Sequence, residues 1–299
     1  MSDPLLINGV EIEETFAEAF PMHWARVVVT AVDKYWLGKA VDSATGFATS
    51  IIGCGVEAGV EGYPRQTPDG RPGANLLFFT MGKKGLEEQL ISRIGQAIMT
   101  CPTTAAYNGA DSENMMNIGG KLRFFGDGFQ MSKVIGGRRF WRIPVMEGEF
   151  VVEESFGRQK GIGGGNFLIL ANSQESALQA AREAVKAIET IPGVILPFPG
   201  GVVRSGSKVG SRYKFLKAST NTQYCPSVQR QTETKLPKGI NSVLEIVIDG
   251  IDEDSVSCAM ETGIVAACGV EGVKRISAGN YGGSLGPHIF GLHPILKKV

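Results

Sequence analysis

The sequence predicts an α+β protein built as a tandem duplication of two ferredoxin-like lobes, each a split βαβ unit, with an antiparallel β meander between them. Two observations predict this fold. Four amphipathic helical patterns occur along the chain, and each lies between apolar, strand-like runs. They form two pairs, so that the order strand, helix, strand, strand, helix, strand occurs twice. We therefore expect an N-terminal lobe with the meander over residues 1–158 and a C-terminal lobe over residues 159–299.

The first half contains two of the four helical patterns. One begins after Asp33, follows VVVTAV and precedes SIIGC, which we expect to be a strand. The other follows NLLFFTM, places Glu87 and Glu88 in its first turn, where the helix dipole favours acids, and precedes the strand-like TTAAYN. The apolar faces of these two helices are Trp36, Leu37, Ala40, Val41 and Ala44 in the first, and Leu86, Leu90, Ile94 and Ala97 in the second.

The second half repeats this arrangement. Asn172, with Glu175 three residues later, is typical of a helix N-terminus and follows NFLIL. The last helix begins at the acidic run 252–254 after SVLEIVI, and Gly269 suits its C-terminal cap. VILPF and VKRIS are the closing strands. The expected apolar faces are Leu178, Ala181, Val185 and Ile188 in the third helix, and Val256, Ala259, Met260, Gly263 and Ile264 in the fourth.

Short β-prone runs separated by glycine-rich turn signals lie between the halves, over roughly residues 120–158. They are KLRFF, RRFWRI and EFVVEE. This composition predicts the antiparallel meander. The loops 55–73 and 199–240 are longer than a compact domain requires, which is typical of functional loops.

Composition excludes several classes of function. The chain has 30 basic and 30 acidic residues, so it lacks the overall positive field of nucleic-acid-binding and membrane-surface proteins. A signal-peptide pattern is absent and no apolar run approaches the ~18 residues of a membrane span, so we expect a cytoplasmic protein. The three histidines and five cysteines are scattered, and GIGGGN precedes a strand instead of following one. We expect no metal and no tightly bound redox cofactor.

A cationic, glycine-rich segment is the first candidate binding site. No acid occurs from Thr190 to Thr232, whereas six basic residues do, beside PFPGGVVRSGSKVG. Backbone N–H groups exposed by glycines, together with basic side chains, bind carboxylates and phosphates. We expect an anion site that includes Arg204 and Lys208. The alternative is a solvated basic loop or a contact to an acidic subunit.

Glu245 is the candidate catalytic residue. It lies in SVLEIVI, where alternation places it on one strand face with Val243 and Val247 and places Leu244 and Ile246 on the other. If its face is covered, desolvation raises the carboxyl pKa and keeps the group protonated near neutrality, ready to donate a hydrogen bond or a proton. The alternative is an edge-strand glutamate that faces solvent or pairs with a base.

Two polar segments at the ends of predicted strands, TCPTTAAYNG and SAGNYGG, supply the remaining candidates. Such segments commonly line sites, although ordinary turns have the same composition. The candidate substrate-binding residues in them are Thr103, Thr104, Asn108 and Asn280. Cys101 lies beside the first three, but neither neighbouring segment contains a histidine that could activate it as a nucleophile.

Segments spread over the whole chain carry a family resemblance. They are INGVEIEETFAEAFPM, ATGFATSII, TPDGRPG, LEEQLISRIGQAIMTCPTTAAYNG, GGNFLIL, PFPGGVVRSGSK, YKFLKAS and SAGNYGG. In these segments, which run from one end of the sequence to the other, the chain resembles formylmethanofuran:tetrahydromethanopterin formyltransferases. The resemblance implies two ferredoxin-like lobes and reversible formyl transfer between formylmethanofuran, or a methylofuran analogue, and tetrahydromethanopterin. Both carriers act as co-substrates, and no covalent enzyme intermediate forms.

The resemblance also implies roles and partners. An acid in the second lobe is proposed in that family to act on the tetrahedral intermediate, and the matching position is Glu245 in LEIVIDG. Both carriers are anionic there, which the acid-free segment suits. The family forms homo-oligomers, or a hetero-oligomeric complex with formylmethanofuran hydrolase subunits in methylotrophs, and the balanced charge favours the latter. The alternative is a non-catalytic scaffolding or ligand-binding subunit of that complex.

Overall fold

One large mixed β-sheet runs through both halves of the molecule, with helices packed against it in two separate cores. The computed structural model describes residues 4–284 and 286–297. Within these residues the chain forms 18 strands and seven α-helices. The mixed α+β class expected from the sequence is therefore confirmed.

The first half and the meander contain eleven strands and four helices among the described residues. The strands are β1 (Leu5–Ile7), β2 (Val10–Ile12), β3 (Phe16–Thr30), β4 (Glu57–Gly62), β5 (Gly73–Thr80), β6 (Ala105–Asn108), β7 (Met115–Asn117), β8 (Met131–Ile135), β9 (Arg138–Val145), β10 (Gly148–Glu153) and β11 (Ser155–Gly157). The helices are α1 (Lys34–Thr45), α2 (Ile51–Cys54), α3 (Lys83–Arg93), continued by a π-helical segment (Ile94–Ile98), and α4 (Gly119–Leu122), followed by a 3-10 turn (Arg123–Gly126).

The second half contains seven strands and three helices among the described residues. The strands are β12 (Gln159–Ala171), β13 (Val194–Ile195), β14 (Ser207–Val209), β15 (Ala218–Thr220), β16 (Ser242–Gly250), β17 (Val273–Ser277) and β18 (His288–Gly291). The helices are α5 (Gln174–Ile188), α6 (Glu253–Ala267) and α7 (Leu292–Leu296), with short 3-10 segments at Pro199–Gly201, Thr222–Tyr224 and Pro226–Val228.

Both halves have the same strand order. It is β4-β5-β3-β6 in the first half and β13-β16-β12-β17 in the second. Helices α1 and α3 contribute to one core, and α5 and α6 to the other. The meander strands β10, β9 and β8 extend the first sheet beyond β6, while β2 and β1 extend the second beyond β17.

Pairing between β3 and β12 joins the two halves into one sheet. The strands are antiparallel over five residue pairs, from Gln159 opposite Trp24 to Gly163 opposite Phe20. A Cβ at Gly163 would overlap the Met22 side chain, so a larger residue there would have to displace that side chain. GIGGGN is therefore a strand that packs tightly across the junction.

The four expected amphipathic helices are present, and most of their apolar positions are buried. In α6 all five expected positions are in the second-half core. The buried residues of the other helices are Leu37, Ala40, Val41 and Ala44 in α1, Leu86 and Leu90 in α3, and Ala177, Ala180, Ala181, Ala184 and Ile188 in α5. Leu178, expected to be buried, is 43% exposed because small alanines form the inner face of α5.

SIIGC was expected to be a strand and is helical. Ser50 caps the single turn of α2 by accepting the backbone N–H of Ile52 at 3.4 Å. Gly55, with φ of 72°, ends the turn in the left-handed conformation. The strand begins later, at Glu57. The local cap and glycine therefore override the β-propensity of the isoleucines.

KLRFF was also expected to be a strand, and it forms α4 and the following 3-10 turn. Leu122 packs into the first-half core, whereas the consecutive Phe124 and Phe125 are both exposed. A strand would have turned one of these two rings inward.

Three helix ends differ from the predictions. Ser173, instead of Asn172, caps α5 because its Oγ accepts the backbone N–H of Ser176. Cys268, instead of Gly269, is the C-terminal cap residue of α6. In α3, which begins at residue 83, the acids at 87 and 88 lie in the second turn and not the first.

Two buried carboxyl groups meet between the halves, Glu57 on β4 and Asp249 on β16. Their exposed fractions are 5% and 0%. One oxygen of each accepts a backbone N–H, from Ile51 at 2.7 Å and from Gly164 at 3.1 Å. The other two oxygens have no donor among the described residues. A proton on Asp249 directed at Glu57 would give these two remaining oxygens a shared hydrogen bond, and, in addition to burial, the nearby Glu57 raises the pKa of Asp249.

This pair predicts a pH dependence of stability. Burial, and then the neighbouring Glu57, raise the pKa of Asp249 well above its ordinary value. The folded protein therefore holds a proton that the unfolded chain releases above about pH 4. The free energy of unfolding should fall as pH rises from that value. Asp249→Asn donates to Glu57 without a titrating proton, so it should weaken the fall, measured by urea unfolding between about pH 5 and about pH 9.

Asp252→Asn is the matched control for that measurement. Asp252 is exposed and caps α6, and asparagine caps helices about equally well. This control should keep the pH dependence of the unaltered chain. An Asp249→Asn variant with that same dependence would contradict the shared proton.

Candidate active site

A cavity of about 250 Å³ opens beside the middle of β16. Four parts of the chain form it: β16 with the adjoining β12, the amino-terminal segment, the acid-free segment with the residues that follow it, and the SAGNYGG segment (residues 277–283). The lining includes Glu13, Thr15, Asn166, Arg204, Lys208, Tyr224, Lys235, Glu245, Asn280 and Tyr281.

Glu245 projects from β16 toward this cavity. Leu244 and Ile246 pack into the second-half core, so the alternation places Glu245 on the opposite face, as expected. The acid-free segment crosses beside it, where Val203 and Glu245 exchange two backbone hydrogen bonds of 2.8 and 3.0 Å. β16 is therefore covered on this side, which removes the alternative of an open edge-strand glutamate.

Burial is the cause that sets the protonation of Glu245. The side chain as a whole is half-buried, and desolvation of the carboxyl raises its pKa from an ordinary 4.5 to about 7. No basic side chain forms a salt bridge with it among residues 4–284 and 286–297. Near neutrality a large fraction of this carboxyl is therefore neutral and can donate a proton.

Basic side chains surround the acid without pairing with it. Arg204, Lys208 and Lys235 line the cavity, against the two acids Glu13 and Glu245. Lys208 donates from Nζ to the hydroxyl of a neighbouring threonine at 3.3 Å, and Arg204 and Lys235 are exposed at the rim. Since Glu245 is largely neutral below about pH 7, the cavity carries a net positive charge suited to an anionic ligand.

Asn280 and Tyr281 bring the SAGNYGG segment across the cavity. The Asn280 amide donates to the hydroxyl of Thr15 at 3.1 Å and to the backbone carbonyl of Phe16 at 3.0 Å. The Tyr281 hydroxyl donates to the carbonyl of Ser207 at 3.3 Å. The segment is thereby tied to both the amino-terminal segment and the acid-free segment.

The structure places Thr103, Thr104 and Asn108 elsewhere, in the first half, and none of them lines the cavity. The Thr104 hydroxyl donates to the carbonyl of Ile98 at 2.6 Å, and the Asn108 side chain accepts the backbone N–H of Gly157 at 2.9 Å. Thr103 accepts a backbone N–H through its hydroxyl. These groups form hydrogen bonds within the chain on both sides of β6, and their expected role in substrate binding stays a prediction.

Six of the lining residues named above were not selected from the sequence: Glu13, Thr15, Asn166, Tyr224, Lys235 and Tyr281. Four of them lie inside the segments that carry the family resemblance, so position within those segments was the available signal. Tyr224 and Lys235 gave no such signal, because only the folding of the long loop brings them to the cavity.

Two further properties concern the described residues only. None of the helices in residues 4–284 and 286–297 is long and apolar enough to cross a membrane. The same residues contain no group of three or more His, Cys, Asp or Glu side chains arranged to hold a metal ion.

Family models match both halves of the chain. Residues 5–145 match the model described as formylmethanofuran-tetrahydromethanopterin formyltransferase. Residues 148–295 match the model of the proximal lobe of the same family. The two matches are adjacent and together cover nearly the whole chain.

Curated relatives match over their full length. A formylmethanofuran–tetrahydromethanopterin formyltransferase of Methylococcus capsulatus is 56% identical over 297 residues, which are 98% of this chain and 100% of that protein. The enzyme of the same name from Methanosarcina mazei is 54% identical over 294 residues, 97% of this chain and 99% of that protein. The similarity therefore spans bacterial and archaeal relatives.

Solved structures have the same fold. The formyltransferase from Methanosarcina barkeri is 52% identical, with a TM-score of 0.93 over 97% of this chain and 100% of that one. A chain of the formyltransferase/hydrolase complex from Methylorubrum extorquens, solved with methylofuran, is 44% identical, with a TM-score of 0.95 over 98% and 99% of the two chains. This chain belongs to the formylmethanofuran–tetrahydromethanopterin formyltransferase family.

Proposed function

We propose that this chain transfers a formyl group reversibly between formylmethanofuran, or a methylofuran analogue, and tetrahydromethanopterin. The single observation that carries the proposal is the desolvated carboxyl of Glu245 in a cationic cavity of a chain from this family. The relatives of known name are formyltransferases, and one related structure holds methylofuran.

The proposed reaction is an acyl transfer between two amines. The nitrogen of the accepting carrier attacks the formyl carbon, a C–N bond forms, and the former carbonyl oxygen becomes an oxyanion. Glu245 in its neutral form donates a hydrogen bond to this oxyanion or its proton to the leaving nitrogen, after which the old C–N bond breaks. The attacking nitrogen releases one proton as the leaving nitrogen gains one, so Glu245 ends the cycle protonated again.

Positioning of the two carriers is the second contribution. A formamide is a poor electrophile, so holding the amine against it in the correct orientation lowers the barrier substantially. Arg204, Lys208 and Asn280 are the proposed carrier contacts, joined by Lys235 at the rim. Thr103, Thr104 and Asn108 do not line this cavity, and carrier binding by them stays a separate prediction.

We also propose that each half is a ferredoxin-like domain that arose by duplication, with the boundary between residues 158 and 159. The shared strand order of the two halves and their separate helix-covered cores support this division. No tightly bound cofactor is required by the proposed chemistry, since both carriers are co-substrates. The expected compartment is the cytoplasm.

Assembly with other subunits is part of the proposal. The related structure from Methylorubrum extorquens is a formyltransferase/hydrolase complex, which supports partnership with formylmethanofuran hydrolase subunits or with further copies of this chain. Exposed apolar side chains on and near the outer strand β8 fit such contacts: Phe129, Met131, Val134, Ile135 and Met146. A purified assembly without transfer activity would instead support the non-catalytic alternative.

Replacing Glu245 tests the proposed acid. Glu245→Gln should lower kcat for formyl transfer by about 10²-fold to 10⁴-fold, because an amide cannot release a proton to the leaving nitrogen. Initial rates of transfer from a formylated furan amine to tetrahydromethanopterin measure this. Glu13→Gln, at the other acid of the cavity, is the control and should retain most of the rate. An undiminished Glu245→Gln enzyme would remove Glu245 from the mechanism.

The pH profile gives a second prediction. Because the neutral form of Glu245 is the active form and its pKa is raised to about 7, kcat/KM should be constant at lower pH and fall as pH rises through about 7. The profile is to be measured at low carrier concentrations, where the rate reports the protein without bound carriers. If the rate of Glu245→Gln falls at the same pH, that fall belongs to another titrating group.

Lys208→Gln tests the contribution of the basic side chains that line the cavity. Removing its charge should raise the KM for an anionic carrier by roughly tenfold with little change in kcat, because a charge-assisted hydrogen bond contributes about 1.5–3 kcal/mol. Lys214→Gln is the matched control, since Lys214 is exposed in the same loop and does not line the cavity. Equal effects of the two variants would indicate general attraction by the loop instead of a contact at Lys208.

A further inference from the structure

The SAGNYGG segment forms a wall of the cavity although it has no helix or strand of its own beyond Ser277. Ala278, Gly279, Asn280 and Tyr281 line the cavity together with Glu245. A segment that contains several glycines has high conformational freedom in the absence of tertiary contacts. Its position must therefore be fixed by other parts of the chain.

Asn166 on β12 fixes the first part of the segment. Its Oδ1 accepts the backbone N–H of Gly279 at 2.6 Å, and its Nδ2 donates to the carbonyls of Gly279 at 3.2 Å and of Gly164 at 3.0 Å. The residue is only 7% exposed. Asn166 lines the cavity, but its amide oxygen and its amide nitrogen both form hydrogen bonds with backbone groups.

Glu18 on β3 fixes the second part. Glu18 is 3% exposed, and among the described residues its carboxylate accepts backbone N–H groups from Tyr281 at 2.8 Å, Gly283 at 3.1 Å and Gly286 at 2.9 Å. Several N–H groups converging on one buried carboxylate make a strong, charge-assisted anchor. A Cβ at Gly286 would overlap the carbonyl of Ala19, so the chain lies directly on β3 there.

The two anchors act at the part of the segment nearest the catalytic candidate. Burial raises the pKa of the Tyr281 hydroxyl, and the nearby carboxyls of Glu245 and Glu18 also raise it, which places this tyrosine close to both acids. Glu18 does not line the cavity, and burial is the cause of the raised pKa of Glu245, so Glu18 is connected to that carboxyl through the segment that it holds. Loss of either anchor would widen the cavity and admit more water beside Glu245.

We propose that Glu18 and Asn166 are positioning residues that hold the SAGNYGG segment over the cavity and so keep water away from the Glu245 carboxyl. This inference rests on the proposed function, because it explains how the acid of that reaction is kept neutral. Burial is the cause of the raised pKa of Glu245, so displacement of the segment should return that pKa toward its ordinary value.

Two variants test the positioning role by independent routes. Glu18→Gln preserves volume but leaves one acceptor oxygen for three donors and turns an NH₂ group toward them. Asn166→Ala removes both bonds to Gly279. Glu153→Gln is the control, a 4% exposed carboxylate outside the cavity lining that accepts the backbone N–H of Asn108 at 2.8 Å and also pairs with Arg138.

The main readout is the titration of Glu245 in the complete assembled protein. It is followed by the infrared band of the protonated carboxyl, assigned by its absence in Glu245→Gln. In Glu18→Gln and in Asn166→Ala the titration midpoint should fall by about one pH unit or more, toward the ordinary glutamate range. In Glu153→Gln the midpoint should not move. In the two test variants the pH at which kcat/KM falls should shift with the midpoint.

Each result decides the question. Folded Glu18→Gln and Asn166→Ala proteins with an unshifted Glu245 midpoint overturn the proposal, even if transfer slows. If one variant does not fold, the other decides alone, because the anchors lie on different strands. A shift in Glu153→Gln equal to that in the test variants overturns it as well, since it would reflect general loosening. Absent transfer by the unaltered protein rejects the proposed function but leaves the titration comparison valid.

Discussion

The antiparallel pairing of β3 with β12 is the constraint on which the rest of the structure depends. It makes one sheet from two otherwise separate βαββαβ units, and a side chain at Gly163 would displace Met22 at this junction. The same pairing places Glu18 on β3 and Asn166 on β12 near enough to anchor one loop from two sides. The cavity wall therefore depends on a contact between residues distant in sequence.

Strand β16 carries two buried carboxyl groups that lie in different surroundings. Glu245 and Asp249 share one face of it, four residues apart, and burial raises the pKa of both. Asp249 is completely enclosed, one of its oxygens accepts a backbone N–H, and the nearby Glu57 raises its pKa further. Glu245 lies where the enclosure opens into the cavity. Burial thus has two results on this strand. At the contact between the halves it favours a protonated carboxyl, and at the cavity it gives a proton donor suited to acyl transfer.

Much of the fold could be predicted, and the errors have local causes. Hydrophobic periodicity identified four helices and most of the strands around them, since it reports directly which side of an element is buried. It failed at SIIGC and KLRFF, where short apolar runs fit a strand or a helical turn equally well. There the cap at Ser50 and the packing of Leu122 decided the outcome.

The sequence by itself determined the α+β class, the apolar and polar faces of β16, and hence the orientation of Glu245 away from the core. These follow from periods of two and 3.6 residues, which are local properties. Only the tertiary structure decided that Asn280 lies near Glu245 while Thr103, Thr104 and Asn108 do not. Polar, glycine-rich strand ends look alike in sequence, and the pairing of distant strands selects which of them meet at a cavity.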